Sequence, residues 1–512
     1  MINKFDAWEE PWIPIETMDG KKQMAGIFET LRDAHRIRAV RAATPTETFG
    51  IQRLLITFLT DIYRPEWPDD LDALYHSGQI EAIKLAEYHK MCMEEGCSFD
   101  LFDTKKPFLQ YAFPNQDKLE KKPVANLFDH LPTGNNVPHF LHNAEDYYLF
   151  SPARCLQALC AIPLYEKHKR GKKVTTGING APPIYFLYNG DSLFETLVLS
   201  MTAKSQYREN DYGLPIWRDK NLFSEQSIVT PSYLHALFSA PLKLQLISSE
   251  KEPIGFVVME EGVNYKEAIW KDPNVAYTMK QQERIALKAK NGRAIWRDMP
   301  LIIEPNALNI LYEWDYRDLD KKYTDLIAYV KYCELKGTVF MAVTQFTEEL
   351  KIPVILLSDN LKRACYAKAV EVSDNISKEC GNALKRTQRQ LSGNGSKDEV
   401  NPFGKVLPQA FSELFLSEVR QIIEDELVTM LANADTDKAE WEKDINDFLY
   451  DKFQSAVYRS LKTVLDTVSD ENVETLILKN KLRNNAIKKM HYILKRGGYA
   501  DDSNRDVKKR TR

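Results

Sequence analysis

The last third of the chain carries the sequence pattern that most restricts its fold. Between residues 441 and 468, apolar side chains recur at every third or fourth position, so they fall on one stripe of a helix. The stripe consists of Trp441, Ile445, Phe448, Leu449, Phe453, Val457, Leu461, Val464, Leu465 and Val468. A long helix with one apolar face is stable in water only when that face packs against other elements. This segment therefore predicts a helical domain.

Three further helical patterns occur in the same part of the chain, at residues 362–390, 407–431 and 473–496. A segment rich in Gly, Ser and Asn, residues 391–404, separates the first two and is typical of a flexible linker. Four amphipathic helices pack most simply as a bundle. We therefore predict an all-α C-terminal four-helix bundle over residues 358–512.

Residues 1–357 have a different character, because short apolar segments alternate there with Pro and Gly. Thr44 precedes Pro45 and Glu47, an order typical of a helix N-terminus. Further helices are predicted at residues 71–94, 151–161 and 193–201, and strands at residues 184–188, 242–247, 254–259 and 339–343. We predict a large mixed α/β N-terminal domain over residues 1–357, so the fold class of the whole chain is α+β.

Charge is distributed unevenly along the chain. The net charge is −4, but residues 479–512 hold twelve Lys or Arg and three Asp, which leaves −13 for the other 478 residues. A basic end on an acidic body indicates local contact with nucleic acid or with an acidic partner, and a solvated basic tail is the alternative. The N-terminus lacks the pattern of a signal peptide, and no apolar run is long enough to span a bilayer. We expect a cytoplasmic protein with no membrane contact.

The familiar catalytic motifs are missing from the sequence. It has no Walker-type phosphate loop, no HExxH, no GxSxG and no CxxC among its seven cysteines, which we expect to be reduced thiols. His130, His139 and His142 share one segment, but only Asp146 is near enough in sequence to complete a metal site. We therefore expect no enzymatic activity, no cofactor and no metal, and a metal-dependent hydrolase built on the histidines is the weakest alternative.

Two irregular polar segments remain. The first, residues 126–146, contains two Pro, one Gly and four Asn, and loops of this length are usually functional or disordered. The second follows residue 166 and combines a basic run with Gly171, Gly177 and Gly180. Glycine lets a backbone approach a ligand closely, and cations beside it can neutralise phosphates. The second segment thus favours DNA contact, although a solvated loop has the same composition.

Several motifs occur in an order that resembles the CasA family, the large subunit of the type I-E CRISPR surveillance complex Cascade. The motifs are PWIPI (11–15), TPTETFGIQRLL (44–55), LPTGNN (131–136), SPARCLQAL (151–159), NGDSLFETLVLSM (189–201) and LPIWRD (214–219). The resemblance implies a non-catalytic subunit that reads the protospacer-adjacent motif (PAM) of duplex DNA from the minor groove. It also implies local unwinding of the duplex and recruitment of a helicase–nuclease.

The resemblance further implies which residues contact DNA. They are Asn135, Asn136, Phe140, His142 and Asn143 in the first segment, Lys169, Arg170, Gly171, Lys172 and Lys173 in the second, and the separate Lys266 and Gln345. Gln345 corresponds to a wedge that parts the first base pair, and Lys266, with Lys271 as the alternative, to a lysine in the minor groove. Lys172 and Lys173 stand where that family has further glycines, which favours phosphate contact there.

The implied partners are the double-stranded DNA target, the helicase–nuclease, and the Cascade subunits that hold the CRISPR RNA: the backbone, the small subunit and the handle-binding subunit. Other interpretations stay open for single residues, because Phe140 suits an apolar anchor of its loop and Gln345 suits an ordinary turn. For the whole chain, the alternative is a scaffold that bridges neighbouring subunits and reads little DNA. The acidic body favours that alternative.

Overall fold

The computed structural model describes most of the 512 residues. They are residues 4–115, 118–128, 131, 146–165, 167–170, 173–179, 183–206, 211–224, 230–247, 253–265, 270–280, 283–290, 293–304, 325–332, 346–391, 406–438, 440–468 and 473–499. The chain divides into two compact units. The first unit comprises Met1–Ile295 and Glu304–Val354, and the second comprises Trp296–Ile303 and Ile355–Arg512. The sequence did not indicate that residues 296–303 belong with the C-terminal part, and the domain boundary after residue 357 stays a prediction.

The first unit contains helices and small sheets. Its helices are α1 (Ile27–Arg32), α2 (Pro45–Tyr63), α3 (Pro68–Ser77), α4 (Ala82–Glu94), α5 (Pro152–Tyr165), α6 (Leu193–Leu199) and α7 (Tyr233–Leu237). Its strands are β1 (Ile13–Thr17), β2 (Lys22–Ala25), β3 (Ile37–Val40), β4 (Lys121–Pro123), β5 (Lys167–Arg170), β6 (Lys173–Thr176), β7 (Tyr185–Asn189), β8 (Leu242–Ile247), β9 (Phe256–Glu261), β10 (Tyr277–Lys280), β11 (Glu283–Ala286), β12 (Asp325–Tyr332) and β13 (Phe346–Pro353).

Every strand pair among the described residues is antiparallel. Three sheets have three strands each, in the orders β2-β1-β3, β13-β12-β7 and β4-β9-β8. Two hairpins, β10-β11 and β5-β6, complete the set. Small antiparallel sheets of this kind need helices to cover their apolar faces. Here α2 packs against β12 and β13, and α5 packs against α2.

Helix α2 forms the centre of the first unit. The Thr44 hydroxyl accepts a hydrogen bond from the Glu47 backbone N–H at 3.3 Å, and Pro45 occupies the first helical turn, as the sequence predicts. Sixteen of its nineteen residues are buried, so the helix is enclosed on every side. It crosses α5 at Gly50, where an added Cβ would lie 2.6 Å from the carbonyl carbon of Cys160. Only glycine allows this approach of the two helices.

A buried ion pair connects α2 to distant parts of the first unit. The side chains of Arg53 and Asp272 are both fully buried, with 2.8 Å between guanidinium and carboxylate. The same guanidinium donates to the backbone oxygen of Leu237 at 2.8 Å and to the side-chain oxygen of Asn274. Asn179 donates to the Asp272 carboxylate at 2.9 Å. Each charge therefore has hydrogen-bond partners that offset its loss of water.

The second unit is helical throughout its described part. It contains α8 (Met299–Ile302), α9 (Ile355–Ser358), α10 (Asn360–Leu391), α11 (Val406–Gln421), α12 (Val428–Asn433), α13 (Trp441–Asp466) and α14 (Val473–Arg496). A π-helical turn, Ile422–Leu427, joins α11 to α12 without a break. Helix α10 contacts both α11 and α14, and α13 also contacts both.

The predicted elements agree with the structure where an apolar period marks them. The helix at 441–466 buries most of the predicted stripe, and the strands at 185–189 and 242–247 are present. The single helix predicted over residues 71–94 is wrong, because Gly78 takes a left-handed conformation with φ of +71° and ends α3 before α4 begins. The predicted strand at 339–343 lies outside the described residues.

The described helices include none that is both long and apolar enough to cross a membrane. Six cysteines lie in the described part of the chain, and all six are free thiols. Five of them are buried. These five agree with the expectation of reduced, buried cysteines.

We expect Gly50→Ala to lower the free energy of unfolding by about 2 kcal/mol, because the new methyl group overpacks the contact between α2 and α5. The matched control is Gly381→Ala in α10, where the added Cβ would meet atoms no closer than 3.7 Å. Removing glycine from that helix should stabilise the protein by about 0.5–1 kcal/mol. Denaturant unfolding followed by tryptophan fluorescence measures both. Equal stability of Gly50→Ala and wild type would show that the two helices can move apart.

Candidate nucleic-acid interface

Most of the residues that the resemblance assigns to DNA contact lie outside the described part of the chain. These are Asn135, Asn136, Phe140, His142, Asn143, Gly171, Lys172, Lys266 and Gln345. The backbone is described for Lys169, Arg170 and Lys173. The structure nevertheless describes the residues that flank each of these segments. These flanking residues show where each segment begins and ends.

Three elements meet at the C-terminal end of α5, because side chains from outside the helix bind its last carbonyl groups. Ser239 donates to the oxygen of Pro163 at 3.2 Å, Tyr185 to that of Leu164 at 3.2 Å, and Lys331 to that of Tyr165 at 3.3 Å. The last four carbonyls of a helix have no partner within the helix, so these bonds satisfy groups that would otherwise be buried unpaired. The ammonium of Lys331 also complements the negative end of the helix dipole.

The basic run begins directly after this end of α5, and it forms a hairpin. Strand β5 pairs with β6 in a register that sets Lys169 opposite Val174 and Arg170 opposite Lys173. The register leaves two residues, Gly171 and Lys172, between the strands. The prediction that residues 167–183 are irregular is therefore wrong at residues 167–170 and 173–176. The strands escaped prediction because their charged side chains show no apolar alternation.

The segment that contains Gln345 starts and ends close to the same point. Residues 333–345 connect β12 to β13, and the register of these strands pairs Tyr332 with Phe346, the residue after Gln345. Lys331, whose ammonium binds the end of α5, directly precedes Tyr332. The Tyr332 hydroxyl donates to Glu348 at 2.6 Å and accepts a hydrogen bond from the backbone N–H of Ile295 at 2.8 Å. Both ends of the connection are thus fixed.

The segment that contains Lys266 is also anchored near this end of α5. Residues 266–269 follow Tyr265, a buried residue whose hydroxyl accepts a hydrogen bond from the backbone N–H of Ala240 at 2.9 Å. The same hydroxyl lies 2.7 Å from Nε2 of His235. Ala240 follows Ser239, which binds the Pro163 carbonyl. Burial lowers the pKa of His235 to about 4, so the imidazole is neutral at physiological pH.

The first polar segment is anchored at the opposite end of α5. Phe128 precedes it and packs on Phe150, with 4.3 Å between ring centroids. The Arg154 guanidinium lies over the Phe128 ring at 4.5 Å and forms an ion pair with Glu47 of α2 at 2.8 Å. With 14 residues, α5 is about 20 Å long. The described residues that flank the hairpin, residues 333–345 and residues 266–269 therefore lie near one end of α5, and those that flank the first polar segment lie about a helix length away.

Sequence reasoning missed an exposed aromatic group beside the first segment. Tyr147 is 62% exposed and contacts the partly exposed ring of Phe256, with 5.4 Å between centroids. Gly255 allows this contact, since an added Cβ would lie 2.9 Å from the Tyr147 hydroxyl. The only sequence signal is the pair of tyrosines after the polar segment, and it carries no period. Exposed aromatic rings are suited to stacking on bases or on partner side chains.

Within the described ranges, no three His, Cys, Asp or Glu side chains are grouped closely enough to hold a metal ion. His130, His139 and His142 lie outside those ranges. The side chains of Ser239, Tyr185 and Lys331 bind backbone carbonyls at the end of α5, which is a structural role.

The chain matches the family of CRISPR-associated protein Cse1 over residues 6–451. None of the curated proteins matches it by sequence. Among solved structures, Cse1 from Acidimicrobium ferrooxidans has a TM-score of 0.74 at 16% identity, over 97% of this chain and 99% of that one. CasA from Thermus thermophilus has a TM-score of 0.75 at 18% identity, over 96% of this chain and 100% of that one.

A chain from a structure described as a CRISPR RNA-guided surveillance complex has a TM-score of 0.67 at 15% identity, over 94% of this chain and 99% of that one. At identities this low, the likeness to solved structures shows the fold alone. It confirms the mixed helix-and-sheet fold class that the sequence predicts.

We expect the protein to lose stability between pH 6.5 and pH 4 because His235 is buried as the neutral form. In that window the unfolded chain binds a proton that the folded chain does not, so unfolding becomes easier as pH falls, by about 3 kcal/mol in all. Above pH 6.5 the contribution of His235 is constant. Urea unfolding of His235→Gln should show a flatter pH dependence than wild type. His76→Gln, at an exposed position, is the matched control. A slope unchanged by His235→Gln would contradict the assignment.

Proposed function

This chain belongs to the CRISPR-associated Cse1 family, and we propose that it is the large, non-catalytic subunit of a type I-E CRISPR RNA-guided surveillance complex. In this role it recognises the PAM on duplex DNA from the minor groove, promotes local unwinding and recruits the helicase–nuclease. It acts in the cytoplasm. The observation that carries the DNA-reading part is the common anchoring of three candidate segments at the C-terminal end of α5.

The basic hairpin is suited to bind the DNA backbone. Its backbone register pairs Arg170 with Lys173, so two basic residues flank the turn, and basic residues grouped in this way are suited to phosphate contact. Lys169 and Lys172 add charge to the same hairpin, so several phosphates can be neutralised at once. The net negative charge of the chain outside residues 479–512 opposes DNA binding on surfaces that lack such a basic run.

Gln345 is proposed as the wedge that parts the first base pair. It directly precedes β13, which pairs with β12 over eight residue pairs and gives the wedge a rigid support. Opening a base pair costs a few kcal/mol, and a side chain that occupies the opened step offsets part of that cost. The amide of glutamine can also donate to and accept from the freed base edges.

Minor-groove reading is proposed for Lys266, or for Lys271 on the far side of the same segment. Readout in the minor groove separates A·T from G·C pairs and little more, so a lysine there gives a loose sequence preference. The first segment, with Asn135, Asn136, Phe140, His142 and Asn143, contacts DNA beside the PAM in this proposal. Its anchor about 20 Å away, at the other end of α5, suits a second point of contact along the duplex.

The proposed partners are the RNA-holding subunits of the complex: the backbone, the small subunit and the handle-binding subunit. Support comes from the fold shared with a chain of a CRISPR RNA-guided surveillance complex. Residues 358–512 are proposed to form a four-helix bundle domain, and its basic end, residues 479–512, to meet DNA or an acidic partner. A scaffold with little direct DNA reading is the competing function, favoured by the acidic body.

Replacing Lys169, Arg170, Lys172 and Lys173 by Ala should weaken binding of every duplex sequence by the assembled complex. The log–log dependence of affinity on salt should become shallower by about one unit for each phosphate that the hairpin no longer neutralises. Four exposed lysines from elsewhere in the chain serve as the matched control: Lys90, Lys118, Lys443 and Lys462, replaced together by Ala. If both quadruple variants keep the wild-type slope, the hairpin does not bind DNA.

PAM reading and scaffolding can be separated with two targets, an intact duplex and the same duplex with a pre-melted bubble beside the PAM. We expect a complex that lacks this chain to lose about 100-fold in affinity for the intact duplex and far less for the bubble. The figure corresponds to a few kcal/mol of base-pair opening, at tenfold for each 1.4 kcal/mol.

In the same assay, Gln345→Ala should reproduce part of the selective loss, and Gln345→Asn should lose less because it keeps the amide. Equal losses on both targets upon removal of the chain would favour the scaffold. A selective loss upon removal, but none for Gln345→Ala, would retain the function and place the wedge elsewhere.

A further inference from the structure

The first unit contains an open cleft that none of the proposed DNA contacts uses. Its volume is about 360 Å³, near the lower end of the range for ligand-binding pockets. Its walls are residues 105–112, the apolar residues Leu159, Ile162 and Pro163 of α5, residues 216–217 and 219–224, and residues 238–242 with Leu244. All of the lining residues belong to the first unit.

The floor of the cleft, formed by its buried lining residues, is mostly apolar, and the polar side chains of Trp217 and Gln110 already have partners. The indole N–H of Trp217 donates to the Tyr88 hydroxyl at 2.9 Å. Gln110 donates to the Leu101 oxygen at 2.9 Å and accepts from the Leu246 backbone N–H at 2.7 Å. A nucleotide base or another hydrogen-bonding ligand would find these groups occupied, whereas an apolar side chain would only displace water.

One wall of the cleft holds a strained residue. Leu109 has a φ of +56°, a left-handed conformation that large side chains rarely adopt. Such conformations persist where the surrounding structure fixes them, and they cluster at ligand-binding sites. Leu109 and its two neighbours, Phe108 and Gln110, all line the cleft.

The rim of the cleft is cationic. Lys105, Lys106 and Lys220 line it, and among the described residues none of their ammonium groups lies within 4.0 Å of a carboxylate. Lys243 lies over the rings of two further lining residues, Tyr111 at 4.8 Å and Phe223 at 5.2 Å. Asp219 is the one acidic side chain that the structure describes in the lining. Several lysines and a single acidic side chain around a mostly apolar floor complement an anionic segment with an apolar anchor.

We propose that this cleft binds an acidic peptide segment of a partner protein, which inserts one large aromatic or aliphatic side chain. The inserted side chain fills the apolar floor, where a fully desolvated anchor concentrates binding energy. The flanking Asp or Glu residues meet the lysines of the rim. This proposal depends on contacts within the first unit and not on DNA recognition.

The test begins with a random 12-residue peptide library displayed on phage and selected against the full chain. Selected peptides should share a Trp, Phe or Leu with at least two neighbouring Asp or Glu residues. Their binding should be lost with Ala112→Trp, which fills the cleft, and with Leu222→Trp, which fills it from another wall. Peptide binding is judged with whichever of these two variants has a melting temperature close to that of the wild-type protein. No shared motif, or a motif bound equally by the filled variants, would overturn the proposal.

The charge requirement is tested with a synthetic peptide of the selected sequence by fluorescence anisotropy. Lys105→Glu/Lys220→Glu should weaken its binding at least tenfold, and the matched control Lys22→Glu/Lys462→Glu by no more than twofold. Equal weakening by the two double variants would overturn the proposal. ATP serves as a competing small-molecule probe, and tight ATP binding that Ala112→Trp abolishes would assign the cleft to a nucleotide instead.

Discussion

The buried guanidinium of Arg53 is the group on which the first unit depends. It lies within α2 and binds the carboxylate of Asp272, the backbone of Leu237 and the side chain of Asn274, all from distant parts of the sequence. Removing one partner of a buried ion pair leaves the other charge unpaired, at a cost of about 3–5 kcal/mol. The network therefore fixes how α2 packs against the chain around Leu237 and around Asp272, on either side of Tyr265 in the sequence. The positions of the residues that flank the candidate interface therefore depend on the contacts of Arg53.

Helix α5 connects the central helix α2 to the residues that flank the candidate interface. It contacts α2 at Gly50, and near its two ends lie the described residues that flank the two polar segments, residues 266–269 and residues 333–345. The carbonyls at its C-terminal end act as acceptors for side chains that approach from three directions. A helix end is suited to this task because its free carbonyls point along the axis, out of the helix. Tyr185, Ser239 and Lys331, which are far apart in sequence, thus meet at the C-terminal end of α5.

The sequence predicted those elements whose apolar residues recur with the period of a helix or strand. It did not predict the features that depend on contacts between residues far apart in the chain. The stripe from Trp441 onward and the cap at Thr44 are local signals, and both elements appear as predicted. The hairpin at Lys169 has no alternation of apolar and polar residues, so its strands were not predicted from the sequence. For the candidate site, resemblance supplied the residues, but the bond from Lys331 to Tyr165 joins positions 166 residues apart. No local pattern encodes such a contact, and the closeness of the residues that flank these segments became evident only in the structure.

The short segment at residues 296–303 has a consequence for how this protein can change over evolution. It belongs to the second unit, although the chain before and after it belongs to the first, so three peptide connections join the two units. Trp296, Met299 and Ile302 in this segment are almost completely buried. A chain ending after Val354 would keep these residues and lose the helices that follow, leaving an apolar patch that invites aggregation. Neither unit can therefore be gained, lost or exchanged by moving one contiguous stretch of the gene.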